Sequence, residues 1–133
     1  MNLMEKIITD GAQYLTLEDL DALMVVLPAL KDRLEENAEV EPAMLDQFRF
    51  LRHLAEEADQ GLRREVPLMA LAEVTFALIY LTRDNDLIPS ALPHEGWIDD
   101  KAILTTVLRR NERSLRELAI SRGHDWELLT SVI

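Results

Sequence analysis

Leu68-Met69-Ala70-Leu71-Ala72-Glu73-Val74-Thr75-Phe76-Ala77-Leu78-Ile79-Tyr80-Leu81 decides the fold class. The run is apolar nearly all round, holds one charge at Glu73 and follows Pro67. It is too long for a buried strand, which takes about 4–8 residues, and no residue in it breaks a helix. A bilayer span needs about 20 residues, so a run this short reads as a core helix. A helix without a polar face has neighbours on every side, which makes this segment the centre of an all-α bundle.

Working outward, the periodicity stays helical. Residues 2–10 form a short first helix with Leu3, Ile7 and Ile8 on one side, and Gly11 ends or kinks it. Thr16 opens a second helix: its hydroxyl caps free N–H groups, and Glu18, Asp19 and Asp21 suit the positive end of the helix dipole. Leu17, Leu20, Leu23, Met24, Leu27, Leu30 and Leu34 form its apolar stripe, and Pro28 predicts a kink or restart. Pro42 begins a third helix with Met44, Leu45, Phe48, Leu51, Leu54 and Ala55 inward and Gly61 as C-cap. A fifth helix from about Asp99 carries Ile103, Leu104, Val107, Leu108, Leu115, Leu118 and Ala119 on one face, can break at Asn111 and stops at Gly123. Trp126, Leu128 and Leu129 belong to a short last helix. The expectation is a single helical domain over residues 1–133, a bundle of about five to six helices.

Composition narrows the function classes. The 133 residues are 48% hydrophobic, enough for a core, and contain no cysteine, which excludes disulfides, thiolate metal sites and a cysteine nucleophile. Residues 1–15 lack the basic-then-apolar pattern of a signal peptide, and the expected location is the cytoplasm. Net charge is −11 and uneven: residues 1–60 hold fourteen acids and five basic residues, whereas residues 61–133 hold eleven and nine. That balance repels phosphate backbones and anionic lipid, so no nucleic-acid partner is expected. It can attract a basic protein, and it also keeps a small helical protein soluble.

Residues 83–98 are the one long non-periodic stretch, with Asp84, Asp86, Leu87, Ile88, Pro89, Ser90, Pro93, His94, Glu95, Gly96 and Trp97 between two helices. Asp86 suits the start of a helical turn, and residues 93–96 read as a turn around Gly96. Asp99 reads as the N-cap of the fifth helix, with Asp100 in its first turn. Leu87, Ile88, Leu92, Trp97 and Ile98 are too apolar for an exposed loop and are expected to fold over the end of the hairpin. The spacing of Asp86-Leu87-Ile88-Pro89, then Pro93, Gly96, Asp99 and Asp100 resembles the signature of the YkvA-like family of small bacterial helical domains. The resemblance covers about residues 68–108. Relatives carry a proline where this chain has Asp84, an acid where it has Ser90, and apolar residues where it has His94 and Glu95. The resemblance implies a helical hairpin and a bacterial source, and it carries no activity.

The residues also bear two chemical readings. Asp84, Asp86, Asp99 and Asp100 could converge on a hard cation such as Mg²⁺ or Ca²⁺, although capping explains the same aspartates and their spacing is not that of an EF-hand. His53, His94 and His124 stand far apart, and no nucleophile elbow, phosphate loop or paired-histidine motif is present. Arg109, Arg113 and Arg116 share one stripe where an acidic partner could dock, or where Glu112 and Glu117 neutralise them. Trp126, Leu128, Leu129, Val132 and Ile133 suit either a partner or homodimer contact or packing on the parent domain. No cofactor is expected. These readings favour a non-enzymatic interaction or regulatory protein that meets a protein partner through Glu35, Glu36, Glu39 and Glu41, or through the polar loop tip at His94 and Glu95. The alternative is a divalent-metal module or metal-dependent enzyme using the loop aspartates.

Overall fold

The computed structural model describes residues 2–62, 65–82 and 93–131, with the backbone alone for 93–97. Among these residues there are seven helices and no strand: α1 Leu3–Gln13, α2 Leu17–Glu36, α3 Pro42–Asp59, α4 Leu68–Leu81, α5 Pro93–Arg110, α6 Glu112–Ser121 and α7 Trp126–Leu129. The chain is an all-α helical bundle. Helix α4 lies at its centre, packed against α1, α2, α3 and α5. Ten of its fourteen residues are buried, which is why it can lack a polar face. The seventh helix arises at Asn111, where the expected long fifth helix breaks. The Asn111 side chain turns back to donate to the Val107 carbonyl at 2.8 Å and to Glu73 at 3.1 Å.

Local chemistry sets most boundaries. Thr16 and Asp19 form a capping box: the Thr16 N–H donates to the Asp19 carboxylate at 2.8 Å and the Asp19 N–H to Thr16 Oγ1 at 3.4 Å. Helices α3 and α6 end alike. Gly61 and Gly123 take φ of +84° and +89°, and the following N–H groups of Leu62 and His124 reach back to Glu57 and Ala119 at 2.8 and 3.0 Å. This Schellman closure needs a left-handed residue after the cap, which glycine adopts without a Cβ penalty.

Four expectations are corrected. Helix α1 does not end at Gly11 but runs to Gln13. Gly11 is there because α4 presses against it: a Cβ at that position would stand 2.1 Å from Phe76 Cε1. Helix α2 does not restart at Pro28, which lies inside it on the exposed side. Pro28 itself is exposed, so its ring displaces no core side chain, and the helix continues through it at the cost of one hydrogen bond. Leu3 and Leu17, assigned to apolar stripes, are 71% and 80% exposed. Helix α5 begins at Pro93, six residues before Asp99, so residues 93–96 including Gly96 are helical rather than a turn. A proline suits the first helical position because its missing N–H has no partner to lose. Asp99 is therefore not an N-cap, and Asp100 is not in the first turn.

Pro28→Ala should stabilise the fold by about 1–2 kcal/mol: the helix regains a hydrogen bond, offset by the extra freedom of the unfolded chain. Urea denaturation reads this directly, and an unchanged midpoint would mean that the proline costs α2 nothing.

Helix α7 closes the far side of α3. Trp126 and Leu129 are buried, while Leu128 is 67% exposed, so of the two readings of this segment packing on the parent domain applies to Trp126 and Leu129. Gln47 ties it down. Its fully buried amide donates to Thr105 Oγ1 at 2.7 Å and to the Leu129 carbonyl at 2.8 Å. Phe50 is buried beside it and meets the His124 ring edge-on at 5.4 Å. The periodicity of α3 does not assign Gln47 and Phe50 inward, because the helix is covered on a second side.

Candidate functional site

The ends of four helices leave an open groove of about 680 Å³. The last turn of α1 supplies Ala12, and the linker to α2 supplies Leu15. The Thr16 capping box fixes Leu17 as the first residue of α2, where no preceding turn covers it. The Schellman turn after α3 brings the chain round to Pro67, an extended N-cap, so that Leu68 and Met69 emerge in the uncovered first turn of α4. Just before them Glu65 holds φ of +66°, a strained value for a residue with a Cβ. Leu17, Leu68 and Met69 are 80%, 68% and 55% exposed, and the neighbouring Tyr14 and Leu62 are exposed as well.

The chemistry of this groove is defined by what its lining offers. The described residues that line it include no His, Cys, Ser, Lys, Arg, Asp or Glu. The two hydroxyls among them are committed elsewhere: Thr16 donates to Asp19 at 3.1 Å and Thr75 to the Leu71 carbonyl at 2.8 Å. Gln13 adds one amide. Among the described residues the lining thus suits binding through apolar burial and shape.

The residues singled out from the sequence fall elsewhere. Asp84, Asp86, Leu87, Ile88, Pro89, Leu92, Val132 and Ile133 lie outside the described residues, as do the side chains of Pro93, His94, Glu95 and Trp97. Ile98 is 65% exposed and does not fold over the hairpin. Asp99 and Asp100 are buried in the interior of α5. As sequential helix residues they diverge by about 100° around the axis and do not face one site. Among the described residues no group of three His, Asp or Glu side chains could hold a metal ion.

The acidic face is partly neutralised within the chain. Glu41 accepts from Lys101 at 2.6 Å, and Glu35 stands 3.8 Å from Lys31 and 3.7 Å from Arg49. Glu36 and Glu39 remain exposed. The arginine stripe is also divided. Arg109 donates to the Thr130 carbonyl at 2.9 Å and so closes the end of α7, whereas Arg113 and Arg116 are exposed. The expected neutralisation of these two is not formed: Glu112 instead accepts from the Trp126 indole at 3.0 Å. His53 lies on the exposed side of α3, where loss of hydration and then the adjacent Arg52 lower its pKa and so favour the neutral imidazole.

One polar cluster has no counterpart in the sequence reading. Glu73 is 5% exposed at the centre of α4 and is gripped by Arg110 through Nε at 3.0 Å and the guanidinium NH2 at 3.1 Å. Arg110 also donates to Thr9 Oγ1 at 2.9 Å. The hydrogen bond to Glu73 raises the Arg110 pKa above that of an ordinary arginine. The signal was visible as one acid inside an apolar helix, which demands a cation. The cluster joins α1, α4 and α5 and opens into no described groove. It is a structural clamp.

Among the described residues no helix is long and apolar enough to cross a membrane. Comparison with family models, curated proteins and solved structures finds no match for this chain.

Proposed function

We propose that this protein is a non-enzymatic interaction or regulatory module of the bacterial cytoplasm, which binds a protein partner in the groove at the ends of α1 to α4. One observation carries the reading: a groove of about 680 Å³ exposes Leu17, Leu68 and Met69, and the described residues that line it include no titratable side chain. Contiguous exposed apolar surface rimmed by polar residues marks interaction sites. Small-molecule pockets enclose most of their ligand and set a few convergent polar groups toward it, whereas this groove is open and its hydroxyls are taken. The resemblance to the YkvA-like family belongs to the same proposal, supported by Asp86-Leu87-Ile88-Pro89, Pro93, Gly96, Asp99 and Asp100, and it adds no activity.

Leu68→Asp is the test. Leu68 is 68% exposed, so the variant should keep its stability within about 0.5 kcal/mol, as surface changes do. A partner recovered from the native host by the natural chain should be absent with Leu68→Asp. Equal recovery by both proteins would place the interaction elsewhere and overturn the reading.

The metal-binding alternative has one observation in its favour, the burial of both Asp99 and Asp100. Calorimetry with Mg²⁺, Ca²⁺, Mn²⁺ and Zn²⁺ against a chelated control separates the two readings. Stoichiometric binding lost in Asp99→Asn would favour the metal module.

A further inference from the structure

The groove also specifies the chemistry of its occupant, given the docking role just assigned to it. Its walls are apolar, and the segments that build it are acidic. Residues 10–21 and 56–72 contain eight acids and only two basic residues, Arg63 and Arg64. Three of the acids are committed to the chain itself: Asp19 accepts from Thr16 in the capping box, Glu57 accepts from Arg122 at 2.6 Å and Glu56 stands 3.7 Å from Arg52. Asp10, Glu18, Asp21, Asp59 and Glu65 are exposed around the apolar strip. A ligand that lays apolar side chains on Leu17, Leu68 and Met69 must bring its flanks against these carboxylates. Lysine and arginine are favoured there, and like charge is penalised.

A second copy of the chain does not meet this requirement. Its net charge of −11 opposes self-association, and the two acidic rims would oppose each other. A helix that fills a groove uses apolar anchors at i, i+3 or i+4, and i+7. Among the described residues no helix outside the groove exposes such a row: Leu3 is the exposed large apolar residue of α1, Val25 and Val26 of α2 are adjacent and lack a third anchor at this spacing, and Ile98, Ile120 and Leu128 stand singly in α5, α6 and α7. The occupant therefore comes from another protein.

We propose that the groove receives an amphipathic helix of a partner protein, with an apolar stripe on one side and lysine or arginine along both flanks. The helical form follows from the lining, where the hydroxyls of Thr16 and Thr75 are engaged within the chain and Gln13 offers one amide: an extended peptide would leave most of its backbone unpaired, whereas a helix satisfies its own.

The test is selection, on the full-length protein, from a display library of helical peptides with fixed leucines at the anchor positions and all other positions random. The expected result is enrichment of Lys and Arg beside the anchors. Selected peptides should bind about tenfold more weakly at high salt and to Leu17→Asp or Leu68→Asp. Binders that are lost in these variants but show neutral or acidic flanks would overturn the charge inference and leave the docking groove standing. Binders indifferent to both variants, or no binders at all, would overturn the groove itself. Concentration-dependent dimers in sedimentation, abolished by Leu68→Asp, would assign the groove to a second copy and overturn the proposal.

Discussion

Glu73→Ala should lower the unfolding free energy by about 3 kcal/mol, at the low end of the range for breaking a buried ion pair from one side. The substitution leaves the Arg110 guanidinium, whose side chain is 24% exposed, against Thr9 and a Glu5 carboxylate 3.8 Å away. It also removes one of the two acceptors of the Asn111 amide, which stands between α5 and α6 and keeps the Val107 carbonyl. Residual exposure and Glu5 soften the loss, which keeps it from the top of the range. Removing both charges should cost less than removing one: Glu73→Leu with Arg110→Met replaces the pair by apolar volume and leaves no orphaned charge. Urea denaturation of the three proteins decides the matter. A loss below about 1 kcal/mol in Glu73→Ala would show that water reaches the guanidinium and that the clamp is not buried in effect. Alkali does not release the clamp from the arginine side. Because the Arg110 pKa is raised, its contribution is complete below the ordinary arginine range and is lost only as pH climbs beyond that range.

Gly11→Ala is the second large effect, expected at about 2–3 kcal/mol, the upper part of the range for overpacking a dense contact. The new methyl would lie 2.1, 2.4 and 2.7 Å from three atoms of the Phe76 ring, all far inside contact distance. Alanine is otherwise the better helix residue, by about 0.8–1.0 kcal/mol over glycine, so propensity alone gives the opposite sign. The ring cannot easily move, because Phe76 is 8% exposed within a helix buried over most of its surface. Gly11→Ala combined with Phe76→Leu should recover part of the loss, since leucine vacates the ring edge. A stabilised Gly11→Ala in thermal denaturation would mean that α1 can shift away from α4 at little cost.

These two residues also mark where the sequence stops being legible. Helices α2 and α3 could be placed because their ends carry their own chemistry: the Thr16 cap, Pro42 at a first turn and Gly61 after a last one act within a few residues. Gly11 has two meanings that look identical in a sequence, a helix stop and a place where another helix comes close. Pro93 with Gly96 is equally ambiguous between a turn and a first helical turn, and the helix starts there. Glu73 announced that a cation must meet it, but the choice of Arg110 depends on how α5 lies against α4, which periodicity does not encode. The groove was hidden for a related reason. Leu17 and Leu68 continue the apolar rhythm of their helices, and only the way the bundle ends leaves them uncovered.

Helix α7 has four residues, far fewer than the roughly 12–15 below which an isolated helix is marginal in water. Its order is borrowed from Gln47, 82 positions away along the chain, and from Arg109. A contact that spans such a distance is among the slowest kinds to form, because the intervening chain must first be brought into place. The segment thus acts as a latch in time as well as in space, able to close only over an α3 and α5 that already stand side by side. Opening the latch would bare Trp126 and Leu129, both buried in the closed chain.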